Sequence, residues 1–235
     1  MSRKDDWFRI PAVSEKEREY FELKLSRSRS GRDQYIDIQA QALAAIDLHK
    51  DALDLFDRLI IENPNYFKLA AVYSSKAQSL IALDHQSEAI KAFRKAIRQT
   101  LDYPNVRCGT EIKFGLWVIE AKIEHLYGEV RDIVIELYDP APIFPIDGFL
   151  QEAILAITQS RLGNVKDAED HARIALDWSN REQSNAAKHR NLGLVKEEHD
   201  PLRKQLEVIL NNVDSEAIKT DQITRIGKVK KWIRR

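Results

Sequence analysis

Cysteine, glycine and proline are scarce in this 235-residue sequence. The single thiol, Cys108, has no partner for an intramolecular disulfide, which fits a reducing compartment. With 8 glycines and 7 prolines, the chain has few residues that interrupt a helix. The composition is 43% hydrophobic and 31% charged, so it argues against disorder over the whole chain and favours helical structure.

Long apolar runs are also lacking. No stretch of about 18 apolar residues is present, and the first residues lack the apolar centre of a secretory signal. We therefore expect a cytoplasmic location and no transmembrane segment. The 37 basic and 37 acidic side chains balance, so no overall field attracts nucleic acid or an anionic membrane. An electrostatic partner must bind to a local patch.

Sequence motifs for catalysis, cofactors and metals are absent. The histidines are scattered, with no HExxH pair and no Cys/His cluster. The glycines are isolated, so no glycine-rich loop can cradle a phosphate, and there is no GxSxG turn. We therefore predict that the chain is not an enzyme and takes no cofactor and no metal. An active site assembled from distant residues is the reserve alternative.

An internal repeat occupies the first half of the sequence. Residues 50–66 and 87–106 share a small residue, an aromatic residue four positions later and an apolar residue three further on. A small side chain lets two helices approach closely, while the aromatic fills the space toward the next pair. The pattern therefore predicts stacked helix pairs. The matching triplets are Ala52, Phe56 and Leu59 in the first segment and Ala89, Phe93 and Ala96 in the second.

This pattern resembles the second helix of the tetratricopeptide repeat (TPR) family, in which a proline follows. Pro64 falls at that position, whereas Pro104 comes three residues late. The resemblance implies an all-α fold, a right-handed superhelical solenoid of TPR-like helix pairs with N- and C-terminal capping helices. The first helices agree with the family's large, small and large positions at Ile36, Ala40 and Leu43 and at Tyr73, Ala77 and Leu80.

Two further copies match the family less closely. In the third, Trp117 and Ala121 take the large and small positions, with Gly128 at the turn. In the fourth, Ala156 and Gly163 fit well. The predicted boundaries are an N-terminal segment and capping helix at 1–32, repeats at 33–69, 70–106, 114–140 and 149–180, and C-terminal helices with a basic tail at 181–235.

Helix signals flank the repeats. Ser14 and Glu17 form a capping-box pattern that opens a helix through about Ser26. Residues 181–192 and 201–213 are predicted to form amphipathic helices. Between the third and fourth copies, three prolines within residues 139–148 predict a loop whose apolar side chains pack onto the repeats, with an exposed docking loop as the alternative.

The resemblance implies that the first helix of each pair lines a concave groove, which is where such repeats bind ligands. Amide, hydroxyl and short apolar side chains suit an extended peptide or helix, whereas the alternative is a plain solvated face. We predict a non-enzymatic scaffold or adaptor that binds a peptide or protein partner in this groove. The predicted groove residues are Gln34, Asp37, Gln41, Ser74, Gln78, Ile81, Val118, Lys122, His125, Ala153, Ile157 and Arg161.

A second functional hypothesis concerns the basic C-terminus. Basic residues dominate there, and apolar residues recur at helical spacing. We expect this helix to cap the last repeat, with nucleic acid, an acidic protein or a membrane surface as alternative contacts. The alternative function is thus a regulatory protein whose basic helix contacts nucleic acid, and self-association of the chain is also open. The candidate contact patch is Arg225, Lys228, Lys230, Lys231, Arg234 and Arg235.

Overall fold

The computed structural model describes residues 6–211, and this part of the chain consists of helices and their connections, with no strand. The expectation of an all-α protein is confirmed for these residues. The helices are α1 (Glu15–Ser26), α2 (Arg32–Ala44), α3 (His49–Glu62), α4 (Leu69–Ala82), α5 (Gln86–Asp102), α6 (Thr110–Glu120), α7 (Tyr127–Glu136), α8 (Pro145–Arg161), α9 (Val165–Ser179) and α10 (residues 200–211).

The chain divides into two compact units, one ending at Thr110 and the other beginning at Glu111. In the first unit α2 packs on α3, α3 on α4, and α4 on α5. In the second unit α7 packs on α8, and α8 on α9. Short connections between consecutive helices produce this kind of packing. The prediction of helix pairs packed on their sequential neighbours is therefore confirmed within each unit.

One backbone turn recurs four times, between α2 and α3, α4 and α5, α6 and α7, and α8 and α9. Its central residue has φ in the left-handed region, and the following amide donates to the carbonyl five positions earlier, as in a Schellman motif. This geometry satisfies carbonyls that a helix end leaves unpaired. The central residues are Asp47 (φ 62°), Asp84 (60°), Lys122 (53°) and Gly163 (83°). The bonds run from Leu48 to Leu43 (3.0 Å), His85 to Leu80 (2.8 Å), Ile123 to Val118 (3.0 Å) and Asn164 to Gln159 (2.9 Å).

The residues of the repeat pattern form the core of each unit. Phe56 and Phe93 are fully buried, and so are the small residues that precede them, Ala52 and Ala89. Burying one such aromatic side chain contributes about 1.5–3 kcal/mol. The fourth pair has only small residues at these positions, because Ala172 stands where the earlier pairs carry phenylalanine, and it is buried as well. The pattern thus marks the faces on which the helices pack.

The third helix pair has a different register from the predicted one. Ala121 lies in the turn after α6, and Gly128 lies inside α7 rather than at a turn. The turn residue is Lys122, which makes Gly115 the equivalent of Ala40 and Ala77. A Cβ atom on Gly115 would lie 2.9 Å from Ile154 Cγ2 and 3.2 Å from Val130 Cγ1. Gly115 therefore supplies the close approach that was assigned to Ala121.

The N-terminal segment packs on α2. Helix α1 begins after Ser14 with the predicted capping box, in which Glu17 N donates to Ser14 Oγ (3.3 Å) and Ser14 N donates to Glu17 Oε2 (2.7 Å). The predicted helix through Ser26 is confirmed. Ahead of it, the Trp7 ring lies 5.1 Å from the Tyr35 ring of α2 and 5.4 Å from the Phe21 ring of α1. These contacts cover one face of α2 with aromatic side chains.

Two loops of the second unit hold each other in place. The predicted helix over 181–192 is wrong, because this stretch forms turns. Asn185 N donates to Ile143 O (2.9 Å), and Ile146 N donates to Gly193 O (2.8 Å). The proline-rich loop predicted over 139–148 is shorter, since Pro145 already occupies the first turn of α8, where its missing N–H costs nothing. The apolar Phe144 of this loop packs directly on Gly193.

Candidate functional site

In the first unit, the predicted groove residues separate into exposed amides and buried groups. Gln34, Gln41 and Gln78 are exposed, and Ile81 is half-buried. Asp37 and Ser74 have 3% and 0% of their surface exposed. Helix α4 is packed between α3 and α5, and α2 between the N-terminal segment and α3, so each helix buries more than one face. The surface of the first helices is therefore made by the glutamines.

Asp37 holds one of these glutamines in position. Gln41 Nε2 donates to Asp37 Oδ1 over 2.7 Å, which leaves the amide oxygen and the second N–H available to a partner. Burial raises the pKa of Asp37, against the lowering effect of the Gln41 hydrogen bond and of the charge on Lys68. Burial, followed by the charge of Asp37, also raises the pKa of the Tyr66 hydroxyl to about 12. The buried carboxyl group of Asp37 thus orients the exposed amide of Gln41.

In the second unit, the predicted groove residues are likewise divided. Lys122, His125 and Arg161 are exposed, whereas the side chains of Val118, Ala153 and Ile157 are buried. Val118 and Ala153 are fully buried and serve packing, whereas Ile157 keeps 5% of its surface exposed and borders a cleft.

The register of the third pair explains part of this outcome. The prediction took Val118, Lys122 and His125 from a register that placed the turn too late. With Lys122 equivalent to Asp84, the α6 residues that correspond to Ser74, Gln78 and Ile81 are Ile112, Leu116 and Ile119. The first helix of the third pair, α6, therefore has aliphatic side chains at all three positions, whereas α4 has the polar Ser74 and Gln78 at two of them.

A cleft of about 550 Å³ lies beside α8, the first helix of the fourth pair. One wall is the end of α8, with Ile157 and Arg161, and the other is α10, with Lys204 and Val208. Helix α10 contributes the fully buried Leu206 to the core. The predicted helix that begins near Pro201 is confirmed as far as residue 211. It borders the face on which Ile157 and Arg161 were expected to meet a partner.

A polar network, which no sequence motif predicted, links α8, α9 and the residues just after α7 in the second unit. Glu152 of α8 is 0% exposed. Its Oε2 lies 2.6 Å from His171 Nδ1 on α9, and its Oε1 accepts a hydrogen bond from the Tyr138 hydroxyl just after α7. An ionised carboxylate can only accept, so both neighbours donate to it. Burial, and then the hydrogen bond to Glu152, raises the pKa of Tyr138 to about 12.

Glu152 and His171 are the residue types of an acid/base pair, but the carboxylate is fully buried. A carboxylate that accepts from His Nδ1 orients the ring and leaves Nε2 to react. The five clefts described in residues 6–211 are lined by residues other than Tyr138, Glu152 and His171. A sequence signal did exist. Glu152 precedes the small residue Ala156 by four positions, where the first two pairs place Ile36 and Tyr73.

Other expected features can be located only in part. The basic patch from Arg225 to Arg235 lies outside the described residues. Within residues 6–211, no group of His, Cys, Asp or Glu side chains is arranged to hold a metal ion. In the same range, no helix has the length and apolar character needed to span a membrane. Cys108 is half-buried, and its Sγ lies 3.0 Å from Thr110 Oγ1.

A comparison with models of known protein families finds no match, and a comparison with curated proteins finds none either.

Proposed function

We propose that the chain is a TPR-like scaffold, a right-handed solenoid of four helix pairs that binds a peptide or protein partner and performs no catalysis of its own. The observation that carries the proposal is the recurrence of one Schellman turn in four helix pairs, seven residues after a small residue in each first helix. These small residues are Ala40, Ala77, Gly115 and Ala156. Within a unit, repeated pairs of this kind offer neighbouring first helices to a ligand.

The surface that we assign to the partner lies on α2 and α4 of the first unit. Gln34, Gln41 and Gln78 are exposed there, and an amide can both donate to and accept from a peptide backbone. Gln41 is already oriented by its hydrogen bond to Asp37, so binding need not immobilise a free side chain. This arrangement favours an extended segment that is bound through its backbone, with little selectivity for its side chains.

The test adds negative charge to the amide surface. In the double variant Gln41→Glu and Gln78→Glu, each amide loses its donors, and the new carboxylate at position 41 faces Asp37. We expect a partner that co-purifies with the tagged full chain from its own cells to be lost, and the purified partner to bind the variant at least tenfold more weakly, a loss of about 1.4 kcal/mol.

A matched control carries the same charge change elsewhere. Gln86 and Gln183 are exposed and lie on neither α2 nor α4, so Gln86→Glu with Gln183→Glu should retain the partner. Circular dichroism must show the same helix content for both variants. Equal retention by both double variants would contradict the assigned surface, and loss by both would show a general effect of charge.

A further inference from the structure

The first unit contains a second concave surface, on the side of α4 where α3 and α5 meet it. This cleft has a volume of about 350 Å³, which is within the range of ligand pockets. Its floor is apolar and consists of Leu53, Tyr73, Leu80 and Ala92. The residues come from three helices at helical spacing, so the cleft is built from regular elements and not from a loop.

Three lysines surround this apolar floor. Lys76 of α4 forms an ion pair with Asp57 of α3. Lys95 of α5 has its Nζ 5.5 Å from the centre of the Tyr73 ring, as in a cation–π contact. Lys91 lies one turn earlier on the same exposed face of α5. The aliphatic stems of these lysines extend the apolar surface, while their ammonium groups remain at its border.

We propose that this cleft binds a protein segment in which an apolar side chain is flanked by carboxylates. The apolar side chain enters between Leu53, Tyr73 and Leu80, and the flanking carboxylates pair with Lys91 and Lys95. The charges argue for a peptide rather than for nucleic acid. Asp57 and Glu88 also line the cleft. A nucleic acid carries a negative phosphate at every nucleotide, so some of its phosphates would lie beside these carboxylates, whereas a peptide can place its carboxylates at the lysines and its N–H donors beside Asp57 and Glu88.

This surface is separate from the amide surface on α2 and α4, since the two share no residue. A partner that reaches both would gain affinity from the linkage between its two segments. The inference does not depend on the proposed function, because either surface can bind in the absence of the other.

The experiment uses the full chain and a fluorescein-labelled peptide in which a Leu-Phe pair is flanked on both sides by glutamates. We expect saturable binding by fluorescence anisotropy that weakens as salt is added, because the contacts lie near the surface. Lys91→Glu with Lys95→Glu should weaken binding roughly tenfold or more, since two attractions become repulsions. Replacing Leu-Phe by Ser-Ser, or the glutamates by glutamines, should reduce binding similarly.

Two control variants separate the possible causes. Lys50→Glu with Arg98→Glu carries the same charge change on exposed residues of α3 and α5 that do not line the cleft, and it should bind as the wild type does. Gln41→Glu with Gln78→Glu should also bind normally, so failure of the proposed function would not resemble failure here.

Three results would overturn the inference. The first is no saturable binding of the acidic peptide to the wild type. The second is equal weakening by the cleft variant and its charge-matched control. The third is tighter binding of a labelled single-stranded oligonucleotide that the cleft variant abolishes while the peptide is unaffected, which would assign the lysines to nucleic acid.

Discussion

Removal of the His171 imidazole should destabilise the second unit, because it leaves a buried carboxylate with only one partner. Glu152 is fully buried, and it accepts from His171 Nδ1 and from the Tyr138 hydroxyl. Leaving a buried polar group without a hydrogen-bond partner costs about 1–3 kcal/mol, and more when the group is charged. The His171 side chain is 26% exposed, so water can reach part of the vacated space. We therefore expect His171→Ala to lower the free energy of unfolding by about 2–4 kcal/mol.

A double-mutant cycle tests whether the carboxylate is the cause. Glu152→Gln keeps the shape of the side chain but removes its charge. In that background, His171→Ala should cost about 1–2 kcal/mol less than in the wild type, because no uncompensated charge is left behind. Tyr138→Phe removes one hydrogen bond to the same group and should cost about 1.5 kcal/mol.

The measurement is urea unfolding followed by tryptophan fluorescence and by far-UV circular dichroism. Coincidence of the two signals is needed before a single free energy is extracted. The reasoning fails if His171→Ala costs less than about 0.5 kcal/mol, the usual range of a surface substitution. It also fails if the cost is the same in the Glu152→Gln background.

Three further predictions concern single positions. Lys122→Gly should stabilise the protein by up to about 1 kcal/mol in thermal or urea unfolding, because Lys122 has φ 53° and glycine adopts that conformation without strain; an unchanged midpoint would contradict this. Gly193→Ala should destabilise it by about 1–3 kcal/mol, since φ is 67° and the new Cβ would lie 2.4 Å from Phe144 Cβ. Gly128→Ala, in α7 with open space around its Cβ, is the control and should leave stability unchanged or raise it by up to about 1 kcal/mol. Tyr66→Phe should raise stability at pH 7 by about 1 kcal/mol, because it removes a buried hydroxyl that has no hydrogen-bond partner among the described residues. Its raised pKa, about 12, means that folding favours the protonated hydroxyl, so the wild type should lose stability as the pH rises from about 10 toward 12, and Tyr66→Phe should lose less.

The packing of the first two helix pairs was predictable because it depends on residue size at fixed spacing. Ala52 and Phe56 recur as Ala89 and Phe93, and all four are buried as the pattern requires. The capping box at Ser14 was predictable for a similar reason, since its bonds are local in sequence. In both cases the physical cause lies within a few residues of the pattern that signals it.

The third turn and the loop at 181–192 were not predictable in the same way. A lysine in the left-handed region carries no sequence signal for a turn, so the register was taken from Gly128 instead. The 181–192 stretch contains no proline or glycine and was predicted to be helical, yet its backbone pairs with the loop before α8. Long-range hydrogen bonds of this kind override local preference, and periodicity does not detect them.

Among the candidate site residues, exposure was the property that the pattern could not supply. Gln41 and Asp37 are one helical turn apart, yet one faces solvent and the other is buried under its neighbours. Asp37 lies close to Tyr66 and Lys68 in the connection between α3 and α4, and the repeat pattern does not predict how that connection packs on α2. The network around Glu152 was missed because its three residues come from separate parts of the chain: Tyr138 after α7, Glu152 in α8 and His171 in α9.

The two interlocked loops of the second unit also govern how α8 and α9 can open. Asn185 and Gly193 follow α9, and they are bonded to Ile143 and Ile146, which stand on either side of the start of α8. These hydrogen bonds join residues around the start of α8 to residues after α9, so they close a loop of chain that contains both helices. Fraying at the start of α8 or at the end of α9 therefore requires these bonds to break. The amides of α8 and α9 should therefore exchange with deuterium through one shared opening event rather than by progressive fraying.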